Sequence, residues 1–151
     1  MRKLIIGVVA FFLTAGTVWG QGDFETQAKR IFSSSILESV KINNGNGEIL
    51  FKDPPDMPSY FRTGDKINKV FAIESARLFR DVLGLESLKM TIPLKEETHV
   101  MSISRKDIDK FYRLNFSEMK GNLDAWRNKF IRKYDNKKAR FYFATKFVKT
   151  E

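Results

Sequence analysis

Hydrophobic residues recur with two different periods in the first half of the chain. Residues 24–33 and 65–83 place apolar side chains every three or four positions, which is the spacing typical of an amphipathic helix. Between them, residues 35–53 contain two runs compatible with β-strands around an Asn/Gly cluster, whose residues adopt positive φ at little cost. The pattern therefore predicts a helix, a β-hairpin and a second, longer helix.

The second half of the chain shows the same two patterns. Strict alternation of apolar and polar residues over 88–94 and 99–103 predicts another β-hairpin. Ser104 and Asn122 precede helical stripes and are predicted to be N-caps, because a short polar side chain can accept a hydrogen bond from the free amides of a first helical turn. Residues 139–148 alternate again, so we expect a final strand there.

From residue 47 the predicted elements follow the order β-α-β-β-α-β, which is the order of the ferredoxin-like fold, preceded here by one helix and one strand. The second strand of that fold lies at a sheet edge, which suits Pro93, since proline cannot donate a hydrogen bond to a neighbouring strand. We therefore predict a single small α+β domain with two or three helices packed on an antiparallel sheet. The alternative is another α+β meander whose hairpins form one antiparallel sheet against the helices. The proline-rich segment 53–58 is expected to be a stiff loop within this domain.

The first twenty residues form a separate segment. Arg2 and Lys3 precede an uncharged, largely apolar stretch over 4–19, and the small residues Val18 and Gly20 stand before Gln21. This pattern is typical of a secretory signal peptide, so we predict a leader over 1–20, a mature domain over 21–151 and export to the periplasm or the extracellular space. The alternative is a retained membrane anchor, but sixteen residues span only about 24 Å of a hydrocarbon core about 30 Å thick.

Few residues in the sequence offer catalytic or metal-binding chemistry. The chain has no cysteine, which excludes disulfides and thiolate chemistry, and His99 is its only histidine, which is too few for a transition-metal site. No glycine-rich phosphate-binding loop follows a predicted strand, so we expect neither a cofactor nor a metal. Three carboxylate pairs remain as candidates for acid–base catalysis: Asp53 with Asp56, Glu96 with Glu97, and Asp107 with Asp109.

Charge is distributed unevenly along the chain. Residues 21–119 carry 15 basic and 15 acidic side chains, whereas residues 120–151 carry ten basic and three acidic ones. The candidate binding residues are the basic side chains in and after the last predicted helix: Arg127, Lys129, Arg132, Lys133, Lys137, Lys138 and Arg140. Such a cluster favours an anionic partner, namely a membrane surface, a lipid headgroup, an acidic polysaccharide or an acidic protein. Export disfavours nucleic acid, and a solvated face that only maintains solubility is the alternative.

Together these features predict a small exported binding protein rather than an enzyme. The alternatives are a small hydrolase that uses the carboxylates or His99, and a structural subunit of an envelope assembly. A deep pocket with converging polar groups would favour the hydrolase, whereas a shallow basic face would favour the binding protein. The oligomeric state and the identity of the partner are not indicated by any motif.

Overall fold

The computed structural model describes residues 16–53, 64–94 and 96–151, and the side chains from residue 22 onward. In these ranges there are five helices: α1 (Gly16–Phe32), α2 (64–81), α3 (Arg105–Tyr112), α4 (123–134) and α5 (Lys137–Phe147). The five strands are β1 (Leu37–Asn43), β2 (Asn46–Phe51), β3 (Ser87–Pro93), β4 (Thr98–Ser104) and β5 (Val148–Thr150). Helix α2 contains a π-turn over Val70–Glu74, and α4 contains one over Trp126–Ile131.

Parts of the prediction lie outside the described residues. These are the leader up to residue 15 and the proline-rich loop from residue 54 onward. Helix α1 continues across the predicted cleavage position before Gln21, and Phe24 is buried among its described side chains. No helix in the described ranges combines the length and the apolar character needed to cross a bilayer.

The α+β class is confirmed, and both predicted hairpins form. The sheet has the order β1-β2-β3-β4-β5, and every neighbouring pair is antiparallel except β2 and β3, which are parallel. At the tip of the first hairpin, Asn44 and Gly45 have φ of 50° and 79°, as a tight two-residue turn requires. Helix α2 connects the two parallel strands, because such strands need a crossover between them.

The predicted ferredoxin-like arrangement, the purely antiparallel sheet and the small number of helices need correction. That arrangement separates the first two strands of the βαβ unit, whereas here β2 and β3 pair directly, which places β3 in the interior of the sheet. Pro93 is nevertheless accommodated, since β2 pairs with β3 only as far as Thr91. Strand β2 therefore needs no hydrogen bond from the backbone nitrogen of residue 93, which proline cannot donate.

The predicted strand over 139–148 is also wrong, because most of it forms helix α5. The side chain of Asn136 accepts a hydrogen bond from the Ala139 amide at 2.9 Å and begins the helix. Phe143 and Phe147 are four residues apart, so they share one side of a helix as readily as one side of a strand. Only β5 extends the sheet, by pairing with β4.

Alternate residues give the sheet one buried face and one exposed face. Ile49, Met90 and Met101 lie opposite one another on β2, β3 and β4, and all three are buried. The neighbouring positions Glu48 and Lys89 are exposed. The helices therefore cover one face of the sheet, and the core lies between these two layers.

Helix α1 packs against the first hairpin through Phe24, Ala28 and Phe32. Gly47 in β2 makes this approach feasible, because a Cβ atom at that position would lie 2.7 Å from Cζ of Phe24. The absence of a side chain at residue 47 therefore determines how closely α1 approaches the sheet.

Tyr112 connects the helices with one another. Its buried ring contacts the rings of Phe130 and Phe143, with centroids 4.9 and 5.7 Å away, and so joins α3 to α4 and α5. Its hydroxyl donates a hydrogen bond to the Ala72 carbonyl in the π-turn of α2 at 2.8 Å. A π-turn shifts the helical hydrogen-bond ladder by one residue, so a carbonyl there needs an outside donor. Burial raises the pKa of Tyr112, which keeps the hydroxyl protonated for this bond.

Arg105, the first residue of α3, holds the C-terminal end of α2. Its guanidinium donates hydrogen bonds at 2.8 Å to the carbonyls of Phe79, Val82 and Leu85 and to Oγ of Ser117. The last carbonyls of a helix have no partner within it, and a cation there also opposes the negative end of the helix dipole. One side chain thus connects α2, the start of β3 and the segment after α3.

We expect Arg105→Ala to lower the free energy of unfolding by about 3 kcal/mol, because several partly buried carbonyls lose a charged donor. Arg105→Lys keeps the charge but lacks the planar fork, and should lose most of the same stability. Urea unfolding measures both, and Lys106→Ala, at the exposed neighbouring position, is the control. A small loss for Arg105→Ala, equal to that of the control, would contradict this role.

A second prediction tests whether residues 137–147 form a helix. Phe143 is fully buried and Phe141 is 65% exposed, since they point to different sides of α5. Phe143→Ala should therefore cost about 3–5 kcal/mol and Phe141→Ala less than about 0.5 kcal/mol. In a strand the two rings would share one face, so equal losses of stability in urea unfolding would refute the helix.

Candidate functional site

The candidate site is on α4 and α5, two consecutive helices joined by Asp135 and Asn136. The side chain of Asn122 accepts a hydrogen bond from the Ala125 amide at 3.0 Å, which confirms it as the N-cap of α4. Trp126 and Phe130 fix α4 in the core with one side of the helix. The other side remains in solvent, and most of the predicted basic residues lie there.

Six of the seven predicted residues form an exposed group, which we call the basic surface: Arg127, Lys129, Arg132, Lys133, Lys137 and Lys138. The ion pairs found among the described residues involve none of these six side chains. Lys133 Nζ lies 5.2 Å from the centroid of the Tyr134 ring. The basic surface therefore carries positive charge that no described carboxylate neutralises by direct contact.

Lys137 and Lys138 occupy an unfavourable place for a cation. They form the start of α5, and its first turn contains no acidic residue. The N-terminal end of a helix carries partial positive charge, so a cation there reduces helix stability by about 0.3–1 kcal/mol. The helix dipole and the two lysines add positive charge at this end of α5, part of which the nearby carboxylate of Asp65 offsets.

Arg140, the seventh predicted residue, is placed differently. Its side chain is 13% exposed, and its guanidinium binds both carboxylate oxygens of Asp65 at 2.9 and 3.0 Å. It also contacts Asp135 at 2.5 Å. Asp135 receives a second contact from Lys69 at 3.5 Å. The hydrogen bond from Arg140 lowers the pKa of Asp65, and the same bond raises the pKa of Arg140. Arg140 therefore attaches α5 to α2.

The single histidine is not assembled with a described serine into a catalytic group. His99 Nε2 lies 3.7 Å from Glu97 Oε2, and His99 Nδ1 lies 3.4 Å from Thr150 Oγ1. Ser102 and Ser104 project from the opposite face of β4, since successive residues of a strand alternate. Ser104 Oγ accepts a hydrogen bond from the Asp107 amide at 3.1 Å, which confirms the predicted cap of α3.

The carboxylate pairs that the sequence offered are dispersed. Glu96 and Glu97 are exposed near the turn between β3 and β4, and Asp56 lies outside the described residues. Asp109 Oδ1 accepts a hydrogen bond from the Phe116 amide at 3.3 Å, and burial raises the pKa of Asp109. Across the described part of the chain, no three His, Asp or Glu residues converge as they would to hold a metal ion.

One acidic residue was missed by the sequence analysis. Glu74 lies at the end of the π-turn of α2, largely buried, with Oε2 3.2 Å from Nε of Arg77. The two atoms are close but misaligned, and within the described structure neither makes a hydrogen bond. Burial raises the pKa of Glu74 and outweighs the attraction of Arg77 and Lys69. Its spacing of three from Phe71 places it on the apolar stripe of α2, which is the signal that could have revealed it.

Glu74 provides a pH-dependence prediction. The pKa of Glu74 is higher in the folded state than its ordinary value of 4.5. Glu74 therefore contributes its full stability to the folded state below pH 4.5, and this contribution is lost as the pH rises through the folded-state pKa. Glu74→Gln should therefore be more stable than the wild type at about pH 7 and nearly equal to it at about pH 4. Urea unfolding at both values tests this, with exposed Glu118→Gln as the control for net charge. A variant less stable than the wild type at the higher pH would show that the contact with Arg77 outweighs burial.

Comparisons of this chain with protein-family models, curated proteins and solved structures find no significant match. Its function must therefore be argued from the side chains of the basic surface and from the groups around them.

Proposed function

We propose that this protein is an exported binding protein, periplasmic or secreted, that engages an anionic partner through the basic surface. The observation that carries the proposal is the set of six exposed cations on two consecutive helices, outside the ion pairs found among the described residues. The leader pattern of residues 1–20 supports export.

The position of Lys137 and Lys138 supports a role in binding rather than in folding. Two cations in the first turn of a helix oppose its dipole, so they are not explained by helix stability. An anion bound at this end would interact favourably with both lysines and with the dipole. The basic surface therefore gains most from a partner that brings negative charge.

Dispersion of the catalytic candidates also favours binding over hydrolysis. His99 lies in β4 with Glu97 and Thr150 as its neighbours, and Glu74 has Arg77 beside it. General acid–base hydrolysis needs two groups positioned across one substrate, and these residues belong to different parts of the fold. An open, positive surface instead suits an extended anionic partner.

We expect neutralisation of four of these cations to abolish binding to anionic probes. The variant Lys129→Gln/Arg132→Gln/Lys137→Gln/Lys138→Gln should no longer be retained on a heparin column at low salt. It should remain folded, because exposed substitutions usually change stability by less than about 0.5 kcal/mol each. Wild-type retention should fall steeply with added salt, since charges are screened over about 8 Å at physiological ionic strength.

The matched control removes four exposed cations elsewhere, through Arg30→Gln, Lys41→Gln, Lys89→Gln and Lys106→Gln. This variant has the same net charge and should keep most of the wild-type retention. Equal losses in the two variants would mean that only net charge matters and would refute a binding role for the basic surface.

A further inference from the structure

We propose that the anionic partner is a phospholipid bilayer and that the exposed side of α5 lies on it, with Phe141 and Tyr142 among the headgroups. This inference rests on the function proposed above and names its partner. It adds Phe141, Tyr142, Thr145 and Lys146 of α5 to the two lysines of the basic surface that begin this helix.

Helix α5 is divided sharply into an inner and an outer side. At about 100° per residue, the six outer residues occupy one half of the helix circumference, and all six are exposed. We call them the lysine–aromatic face: Lys137, Lys138, Phe141, Tyr142, Thr145 and Lys146. This face contains no acidic residue. The remaining residues of the helix are buried or half-buried, with Phe143 at the centre of the inner side.

Phe141 and Tyr142 expose more of their side chains than any other large hydrophobic residue in the described ranges, at 65% and 64%. They are adjacent on one helix, with lysines one turn before and one turn after. Exposed apolar residues that cluster in this way mark an interaction surface more often than isolated ones do. A flat anionic layer would contact the lysines at both ends and the rings between them.

The ring of Tyr142 is packed against the protein before any partner binds. Tyr142 stacks on Phe111 of α3 with centroids 5.7 Å apart, and Lys146 Nζ lies 5.4 Å from the centroid of the same Phe111 ring. On the inner side, the ion pairs of Arg140 fix α5 to α2. The helix that carries the lysine–aromatic face and the ring of Tyr142 are therefore positioned in advance, which limits the entropy lost on binding.

Charge around the face fits phospholipid headgroups. A shallow concavity of about 600 Å³ adjoins it, lined by Lys137, Lys138 and Phe141 together with Asp65 and Asn68. The Asp65 side chain is 42% exposed, and its pairing with Arg140 offsets its negative charge. Each lysine near an anionic leaflet strengthens binding about fivefold, and amphipathic aromatic rings favour the headgroup region. A bilayer would engage the lysines through its anionic headgroups and the two rings through its interfacial region at the same time.

Tryptophan fluorescence tests whether residue 141 reaches lipid. Phe141→Trp and the control Leu83→Trp, which replaces a 50% exposed residue just after α2, are compared in the full chain. Subtracting the spectrum of the parent chain removes the signals of Trp19 and Trp126. With phosphatidylglycerol vesicles, we expect a blue shift and quenching by brominated lipid for Phe141→Trp alone. Phosphatidylcholine vesicles should produce neither effect.

Partitioning into the same vesicles tests the energetic role of the rings. Phe141→Ser/Tyr142→Ser should weaken it at least about tenfold, as loss of aromatic burial implies. Leu50→Ser/Leu83→Ser removes two other exposed apolar residues and should leave it unchanged. All variants carry the same N-terminal residues, so the leader contributes equally. Equal partitioning of the two double variants would overturn the inference.

The outcomes separate this inference from the proposed function. Charge-dependent heparin retention, with no spectral change for the Phe141→Trp variant on vesicles, would overturn the bilayer and leave an anionic partner. Quenching of the fluorescence of Phe141→Trp by an oligonucleotide but not by brominated lipid would replace the bilayer with nucleic acid. If neither heparin retention nor vesicle binding of the wild type depended on the basic surface, both proposals would be overturned.

Discussion

Arg105 is the residue on which the arrangement of helices and sheet depends most. It begins α3 directly after β4, and its guanidinium reaches carbonyls in the last turn of α2 and in the segment leading to β3. Its guanidinium donates to backbone carbonyls, and burial lowers the pKa of this arginine more than the nearby Asp109 and Glu86 raise it. The favourable alignment of several carbonyls offsets that burial. Arg105 thereby joins α3 to the end of the α2 crossover and to the segment that leads into β3, the strand that pairs in parallel with β2.

The π-turns show how irregular backbone can contribute to specificity. In α2 the π-turn presents the Ala72 carbonyl to Tyr112, and Tyr134 in turn donates a hydrogen bond to the Tyr112 carbonyl at 2.9 Å. This chain of bonds runs from α2 through α3 to α4 within an aromatic cluster. Hydrophobic packing alone tolerates small shifts between helices, whereas these directional bonds require one alignment.

Local signals in the sequence predicted local structure well. The two hairpins and the caps at Ser104 and Asn122 follow from turn residues and polar side chains that act within a few positions. Strand order and the fate of residues 139–148 depend on partners distant in the chain, so alternation alone predicted the wrong element for α5. Arg105 was missed for the same reason, because the carbonyls that accept its hydrogen bonds lie twenty or more residues away.

The sequence predicted which basic residues belong to the candidate site but not how the fold arranges them. Counting charges located the basic cluster, and six of its seven members are exposed, but the sequence did not reveal that Arg140 is committed to Asp65 and Asp135. Glu74 lay within a predicted helix whose apolar stripe should have drawn attention to it. The exposed pair Phe141 and Tyr142 became visible only once α5 was a helix, since a strand would place them on opposite faces.

The two sides of α5 are subject to different evolutionary constraints. Substitutions on the inner side alter packing with α2 and α3, so selection for a folded protein alone preserves that side. The outer side contributes little to the core, and selection for folding alone would let its lysines and aromatic rings drift. This helix can therefore acquire, lose or retune an interaction without passing through an unfolded ancestor.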